Sequence, residues 1–123
     1  MNTKNQHQYP CPICGYYVFD ERPGSYDTCR VCGWEDDNVQ LRYPDMGGAN
    51  KESLIEAQTL FLSKPTSPAV QAYMRDSQWR PLNENDKELY KKRKDIVENA
   101  PWPRNYEVLY WWRDNFWLKD HRP

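Results

Sequence analysis

Two matched pairs of cysteines constrain this chain more than any other feature of its sequence. All 4 cysteines of the 123-residue chain lie in two C-x2-C pairs, which are fourteen residues apart. They are Cys11, Cys14, Cys29 and Cys32. Pairs at such a spacing are typical of a zinc site, because each short turn lets two thiolates converge on one tetrahedral ion. We therefore predict one structural Zn²⁺ ion, held by these four side chains.

A glycine directly follows the second cysteine of each pair, at Gly15 and Gly33. Glycine tolerates positive φ, which suits a chain that curls sharply past a metal. We name residues 11–15 the first knuckle and residues 29–33 the second knuckle. Four protein thiolates leave no open position for water or substrate, so the ion is expected to supply folding energy rather than catalysis. His7, near the first knuckle, is not needed as a ligand.

Other uses of the four cysteines stay open. Two disulfides would need an oxidising compartment, whereas residues 1–8 are polar and lack the apolar segment of a secretory signal. A redox-active C-x2-C normally uses one pair at the start of a helix. Iron in a rubredoxin-like electron carrier remains an alternative, because four thiolates also suit iron.

The residues between the knuckles predict a zinc ribbon. Residues 16–19 are aromatic and β-branched, and Pro23 and Gly24 supply a turn before the chain returns to Cys29. This pattern predicts a β-hairpin that connects the two knuckles, with the metal replacing a core that so few residues cannot build.

The remainder of the chain predicts helices, which makes the fold class α+β. Apolar residues recur at helical spacing over four segments, residues 51–62, 68–74, 86–98 and 106–118. The predicted N-caps are Asn50, Ser67 and either Asn83 or Asn85. We expect a ribbon module over residues 1–48 and a helical extension over residues 49–123 that packs on it, together forming one folding unit.

Composition bounds the surroundings of the protein. No apolar run approaches the roughly 18 residues that span a bilayer, so we expect a cytoplasmic protein without membrane contact. Aliphatic residues are scarce at a mean hydropathy of -1.08, and 6 Trp and 9 Tyr must therefore supply much of the core.

Several spaced motifs carry a resemblance to a known family. They are residues 11–17 (CPICGYY), 29–37 (CRVCGWEDD), Gln40, 47–50 (GGAN) and 53–54 (SL). In this order they resemble the bacterial cysteine-rich CPCC family, over roughly the first half of the chain. Ile13 occupies the third position of the Cys-Pro-Cys-Cys string, which removes adjacent-cysteine chemistry but keeps all four thiolates. The resemblance implies an immunity protein that neutralises a toxin used between bacteria.

The leading functional hypothesis is a non-enzymatic module that binds another protein, with a toxin as the partner that the resemblance implies. The candidate contact residues are Trp34, Glu35, Asp36 and Asp37. Acidic side chains beside a metal-fixed turn suit cationic groups of a partner, and tryptophan is a common interface anchor. Helix capping or loop hydrogen bonding is the alternative role for these carboxylates.

Two other classes of function, nucleic-acid binding and enzymatic catalysis, have less support in the sequence than protein binding. A nucleic-acid-binding zinc ribbon would use residues 91–94, Arg104 and Arg113 against phosphates, but the net charge of -1 counts against it. We interpret the run at 91–94 as a solvated helix face. An enzyme could place a second, hard cation on Glu35, Asp36, Asp37 and Asp45. We do not expect one, because the sequence shows no recognisable nucleophile and base pair, phosphate loop or histidine cluster.

Overall fold

The computed structural model describes residues 8–119, which form an α+β protein with one two-stranded sheet and four α-helices. The α+β class that the sequence predicts is therefore confirmed. Strand β1 (Tyr9–Pro10) pairs with β2 (Tyr17–Phe19) in antiparallel register, with Tyr9 opposite Phe19. The predicted strand was thus correct in position, but its predicted partner was wrong. The hairpin encloses the first knuckle instead of connecting the two, because the knuckle itself serves as the turn between β1 and β2.

The helices lie in the remaining two thirds of the chain. They are α1 (Asn38–Arg42), α2 (Leu54–Leu62), α3 (Glu84–Lys92) and α4 (Lys94–Asn99). Two 3₁₀-helices span Pro68–Ala72 and Tyr106–Leu109. The short helix α1 was not predicted, because its five residues are fewer than a periodic apolar pattern needs to be recognised.

Helix α2 ends at the predicted residue but begins three residues later than predicted. Its N-cap is Ser53, whose hydroxyl accepts from the Glu56 N–H while the Glu56 carboxylate accepts from the Ser53 N–H. This reciprocal pair satisfies two free amides at the start of the helix. The predicted cap, Asn50, is wrong because its side chain is bonded to Glu35 and Gln40.

The predicted helix over residues 86–98 is two helices. Asn83 caps α3 in a reciprocal pair with Asp86, which selects it over Asn85. The helix breaks at Arg93, where φ is -103° and ψ is 27°. Ser67 caps its predicted segment, although that segment is a 3₁₀-helix rather than an α-helix.

The last predicted helix, over residues 106–118, is wrong beyond its first turn. Only Tyr106–Leu109 is helical, and the following residues form successive turns. Tyr110, Trp111 and Trp112 are all buried, with 1 %, 1 % and 6 % of their surfaces exposed. An α-helix would point three consecutive side chains in different directions. Turns let all three aromatic rings enter the core.

The aromatic C-terminal segment joins distant parts of the chain. The Tyr110 hydroxyl donates to the Pro10 carbonyl at 2.9 Å, and Trp112 Nε1 donates to Asp76 at 3.0 Å. One buried cluster includes residues from Cys11 to Leu118. The predicted boundary after residue 48 stays a prediction, while the core contains residues from both sides of it.

Arg42 connects α1 to the end of α4. The side chain is 1 % exposed, and its Nε donates to the Val97 carbonyl at 2.9 Å while Nη2 donates to the Ala100 carbonyl at 2.6 Å. Its guanidinium lies 4.6 Å from the Trp102 ring centroid and 4.8 Å from that of Trp117. A cation at a helix C-terminus interacts favourably with the exposed carbonyl dipoles and with aromatic faces.

No helix among residues 8–119 combines the length and the apolar character required to cross a membrane.

Candidate metal centre

The structure brings the four predicted cysteines into one cluster. One ligand sulfur from each lies within 4.8 Å of all the others. Cys11 Sγ is 3.6 Å from Cys32 Sγ, and Cys14 Sγ is 3.7 Å from Cys29 Sγ. A tetrahedral ion with metal–sulfur bonds of about 2.3 Å would place its sulfur ligands about 3.8 Å apart. The cluster therefore has both the donor chemistry and the size to hold one metal ion.

Both knuckles use the same backbone pattern. In the first, the Cys11 N–H donates to the Tyr16 carbonyl at 2.9 Å, and the Gly15 N–H donates to the Cys11 carbonyl at 2.7 Å. The second knuckle repeats both bonds at equivalent positions, at 2.8 and 2.9 Å. The φ angles are 81° at Gly15 and 84° at Gly33. The positive φ expected after each cysteine pair is confirmed.

Electrostatics inside the cluster favour a bound cation. Burial raises the pKa of the Cys11 thiol well above its usual range. The pKa of Cys29 is lowered by hydrogen bonds from the Cys11 and Cys14 thiols, and the N–H groups of Val31 and Cys32 also lie 3.4 Å from its sulfur. Burial and the hydrogen bonds among the thiols therefore move the pKa values of Cys11 and Cys29 in opposite directions. A divalent ion would displace the remaining protons and compensate the negative charge.

The disulfide alternative is contradicted by the geometry. All four cysteines are free, and the sulfur separations of 3.6 and 3.7 Å far exceed the roughly 2.05 Å of a covalent S–S bond. The possible extra ligand, His7, lies outside the described residues.

Residues far away in sequence position the first knuckle through hydrogen bonds to its backbone carbonyls. The Pro12 carbonyl accepts from Gln58 Nε2 at 3.2 Å and from Trp79 Nε1 at 3.0 Å. Arg75 Nε donates to the Cys14 carbonyl at 2.9 Å. These donors lie 46 to 67 residues from their acceptors. No local sequence signal identifies them, because the pairing depends on the folded chain.

The four candidate partner-binding residues follow the second knuckle, and three of them are buried. Trp34, Asp36 and Asp37 are 4 %, 3 % and 4 % exposed, whereas Glu35 is half-buried. Asp36 Oδ2 accepts from the Ser25 hydroxyl at 2.7 Å and from its N–H at 3.2 Å. Of the two roles considered for this carboxylate, loop hydrogen bonding is the one observed.

Asp37 is the N-cap of α1. Its Oδ1 accepts from the N–H groups of Val39 and Gln40 at 2.8 and 3.4 Å, and Oδ2 accepts from the Ala49 N–H at 2.9 Å. The capping alternative is thus the observed role of Asp37. Partner binding by this segment stays a prediction, with Glu35 as the acidic side chain that retains substantial exposure.

A buried amide, Gln40, organises the loop before α2. It is fully buried, and its Nε2 donates to the carbonyls of Met46 and Glu52, each at 2.9 Å. Its Oε1 accepts from Asn50. Asn50 in turn bonds both backbone polar groups of Glu35 at 2.8 Å. The spaced motifs after the second knuckle therefore form one interior hydrogen-bond network.

The second, hard-cation site is not found among residues 8–119. His, Cys, Asp and Glu side chains can all bind a metal. In that part of the chain, the one group of three or more such side chains close enough together to share an ion is the four cysteines. The carboxylates of Asp36 and Asp37 bond different backbone segments, and Asp45 joins no such group.

Comparison with known proteins places the whole site within one family. The family model described as cysteine-rich CPCC matches residues 9–85, which is more than half of the chain and extends past the first half that carries the recognisable motifs. The match includes both knuckles, α1, α2 and the first residues of α3. No curated protein matches the chain. With both knuckles and the buried network inside the matched region, the chain belongs to the cysteine-rich CPCC family.

Proposed function

We propose that the four cysteines hold one structural zinc ion and that the surrounding fold is a zinc-ribbon-like module. The observation that carries this proposal is the convergence of four sulfur atoms within 4.8 Å, with three of the four cysteines buried. A closed set of four thiolates is the usual ligand set of structural zinc. Because the ligands come from two separate knuckles, a bound ion would cross-link them and contribute its binding energy to folding.

Native mass spectrometry and elemental analysis of the purified full chain test this proposal. We expect one zinc per chain. Cys32→Ser should lose the ion and most of the folded signal, whereas Arg30→Ser, which alters an exposed residue of the same knuckle, should retain both. Iron at one per chain, with its visible colour, would favour the electron-carrier alternative, and a folded protein without metal would contradict both.

We further propose that this metal-stabilised module is non-enzymatic and acts by binding another protein. Leu60 and Leu62 on α2 are 46 % and 53 % exposed, and Leu60 lines a cleft of about 360 Å³ beside the second knuckle. Exposed apolar side chains beside a concave surface are typical of protein interfaces. The family resemblance suggests an immunity protein, with a toxin as the bound partner.

Substitutions on α2 test the binding proposal. The full chain should form a complex of defined stoichiometry with a protein from its source cells. The double variant Leu60→Asp, Leu62→Asp should weaken this complex strongly, and Thr59→Asp, an exposed change on the same helix, should not. If both variants bind the partner as tightly as the unmodified chain does, this face of α2 is not part of the interface. If the unmodified chain forms no complex, protein binding is contradicted.

Nucleic-acid binding is the weaker candidate. Arg113 Nη2 lies 3.1 Å from the buried Asp76 carboxylate, so this guanidinium is already paired within the chain. Lys91 lies 3.7 Å from Glu88. The net charge of -1 offers little long-range attraction to phosphates. A steep decrease of affinity with salt would nevertheless favour this alternative over protein binding.

A further inference from the structure

The four cysteines differ in their access to solvent. Cys11 and Cys14 are 0 % exposed and Cys29 is 2 % exposed, whereas Cys32 is half-buried. The cleft of about 360 Å³ beside the second knuckle includes Cys32 in its lining. A small molecule that approaches the cluster through this cleft therefore meets Cys32 before the other three cysteines, none of which lines the cleft.

A neighbouring sulfur is placed to react with a modified Cys32. Cys11 Sγ lies 3.6 Å away and is fully buried. Cys29 belongs to the same knuckle, but the N–H groups of Val31 and Cys32 both point to its sulfur at 3.4 Å. Hydrogen bonds that stabilise a thiolate reduce its nucleophilicity, so Cys11 is the better attacking group.

We propose that Cys32 is the oxidation-sensitive position of the cluster and that its disulfide partner is Cys11. This inference rests on the proposed metal-binding function, because a metal-bound cluster holds its sulfurs as thiolates. It assigns a modification site to a residue that is otherwise only a metal ligand.

The chemistry needs a two-electron oxidant of the hydrogen peroxide class. The Cys32 thiolate attacks one peroxide oxygen, an S–O bond forms, the O–O bond breaks and hydroxide leaves. The Cys11 thiolate then attacks the Cys32 sulfur, an S–S bond forms and a second hydroxide leaves. Two thiolates are oxidised to one disulfide, and one peroxide is reduced to two hydroxides.

Formation of this disulfide would remove one ligand from each knuckle. Cys14 and Cys29, whose sulfurs are 3.7 Å apart, would remain, and two thiolates do not complete a tetrahedral site. Metal loss would then follow oxidation, and a thiol reductant would restore the four ligands. The cluster would thus connect the stability of the fold to the oxidant level around it.

Peptide mapping tests the assignment. Metal-loaded full-length protein is treated with about one equivalent of hydrogen peroxide, denatured in an alkylating reagent, digested and analysed by mass spectrometry. We expect a Cys11–Cys32 disulfide as the first product, with Cys14 and Cys29 alkylated and one ion released per disulfide. A first disulfide between Cys14 and Cys29, or between Cys29 and Cys32, would overturn the proposal.

A matched pair of variants tests the role of the cleft. Leu60 lines it, whereas Leu62, on the same helix and similarly exposed, does not. In the native protein, N-ethylmaleimide should modify Cys32 first. Leu60→Trp should slow that reaction several-fold, and Leu62→Trp should leave it unchanged. Equal rates in the two variants, or first modification at another cysteine, would contradict access through the cleft.

The metal content measured before oxidant is added separates the two proposals. Protein without metal would refute the zinc proposal, and with it the release step. Protein with one ion per chain but with oxidation starting at a buried cysteine would refute only the assignment to Cys32.

Discussion

Gln40 and Asn50 are joined through a single oxygen, because Gln40 Oε1 accepts from both the backbone N–H and the side-chain Nδ2 of Asn50, each at 2.9 Å. On its other side, Gln40 Nε2 donates to the carbonyls of Met46 and Glu52. One fully buried amide therefore makes four hydrogen bonds to three residues of the loop between α1 and α2. Such a network is stabilising only while every member has a partner.

We predict that Gln40→Glu is strongly destabilising. The substitution keeps the size of the side chain but replaces the Nε2 donor with a carboxylate oxygen, which leaves two carbonyls without a donor and buries a charge. The free energy of unfolding should decrease by about 3 kcal/mol, measured by urea denaturation of the metal-loaded protein. Gln71→Glu, at an exposed position, should change it little. If Gln40→Glu lowers the free energy of unfolding as little as Gln71→Glu does, the hydrogen-bond network around Gln40 contributes little to stability.

The two knuckle glycines should differ when each is replaced by alanine. Both have positive φ, so either alanine should cost about 1 kcal/mol or more. A Cβ at Gly15 would also lie 2.5 Å from Trp79 Cγ, whereas a Cβ at Gly33 meets no atom within 4 Å. Gly15→Ala should therefore lower the denaturation midpoint clearly more than Gly33→Ala. Equal midpoints would mean that Trp79 moves away at little cost.

Arg42 should not tolerate lysine. Its planar guanidinium donates to three carbonyls at the end of α4 and lies 4.6 and 4.8 Å from the Trp102 and Trp117 ring centroids. An ammonium group keeps the charge but loses this geometry. We expect Arg42→Lys to lower the free energy of unfolding by about 2 kcal/mol. Arg30→Lys, at an exposed position of the second knuckle, serves as the control and should be neutral. A neutral Arg42→Lys would contradict the proposed anchoring of α4.

Asp36 should make stability depend on pH. Burial raises its pKa above the ordinary value of 3.8, against the opposing effect of the Ser25 hydrogen bonds. A carboxyl with a raised pKa binds its proton more tightly in the folded state, so its contribution to stability falls as the pH rises from about 3.8 through the folded-state pKa. Asp36→Asn lacks this titration.

The measurement is the unfolding free energy of Asp36→Asn minus that of the unmodified chain, taken at several pH values. This difference should increase from about pH 3.8 upward and then level off. Metal loss at low pH affects both proteins and largely cancels in the subtraction. A difference that is constant with pH would show that burial does not raise the Asp36 pKa.

Local chemistry explains which features were predictable. The cysteine cluster follows from residue type and short spacing. The cap at Ser67, and the narrowing of the α3 cap to Asn83 or Asn85, follow from a side-chain oxygen within reach of the next amides. The glycine conformations follow from the same short-range geometry. The family resemblance was also readable from the sequence, because its motifs are short and ordered, and the family match confirms it.

Long-range contacts explain which features could not be predicted from the sequence. Asn50 has the side chain of a helix cap, but Gln40 and Glu35 use its polar groups, so α2 begins at Ser53 instead. The aromatic run after Leu109 has helical spacing, yet burial of adjacent rings favours turns. In both cases tertiary packing outweighed a local preference.

The sequence alone determined the donor set, because four cysteines in two short pairs can converge on one ion whatever the rest of the chain does. Only the tertiary structure decided that Asp36 and Asp37 lie in the interior, that β1 rather than the segment returning to Cys29 pairs with β2, and that Cys32 is the least buried of the four cysteines. The physical reason is that burial and pairing depend on residues far apart in the chain. The bond from Tyr110 to Pro10, which spans 100 residues, is one such contact.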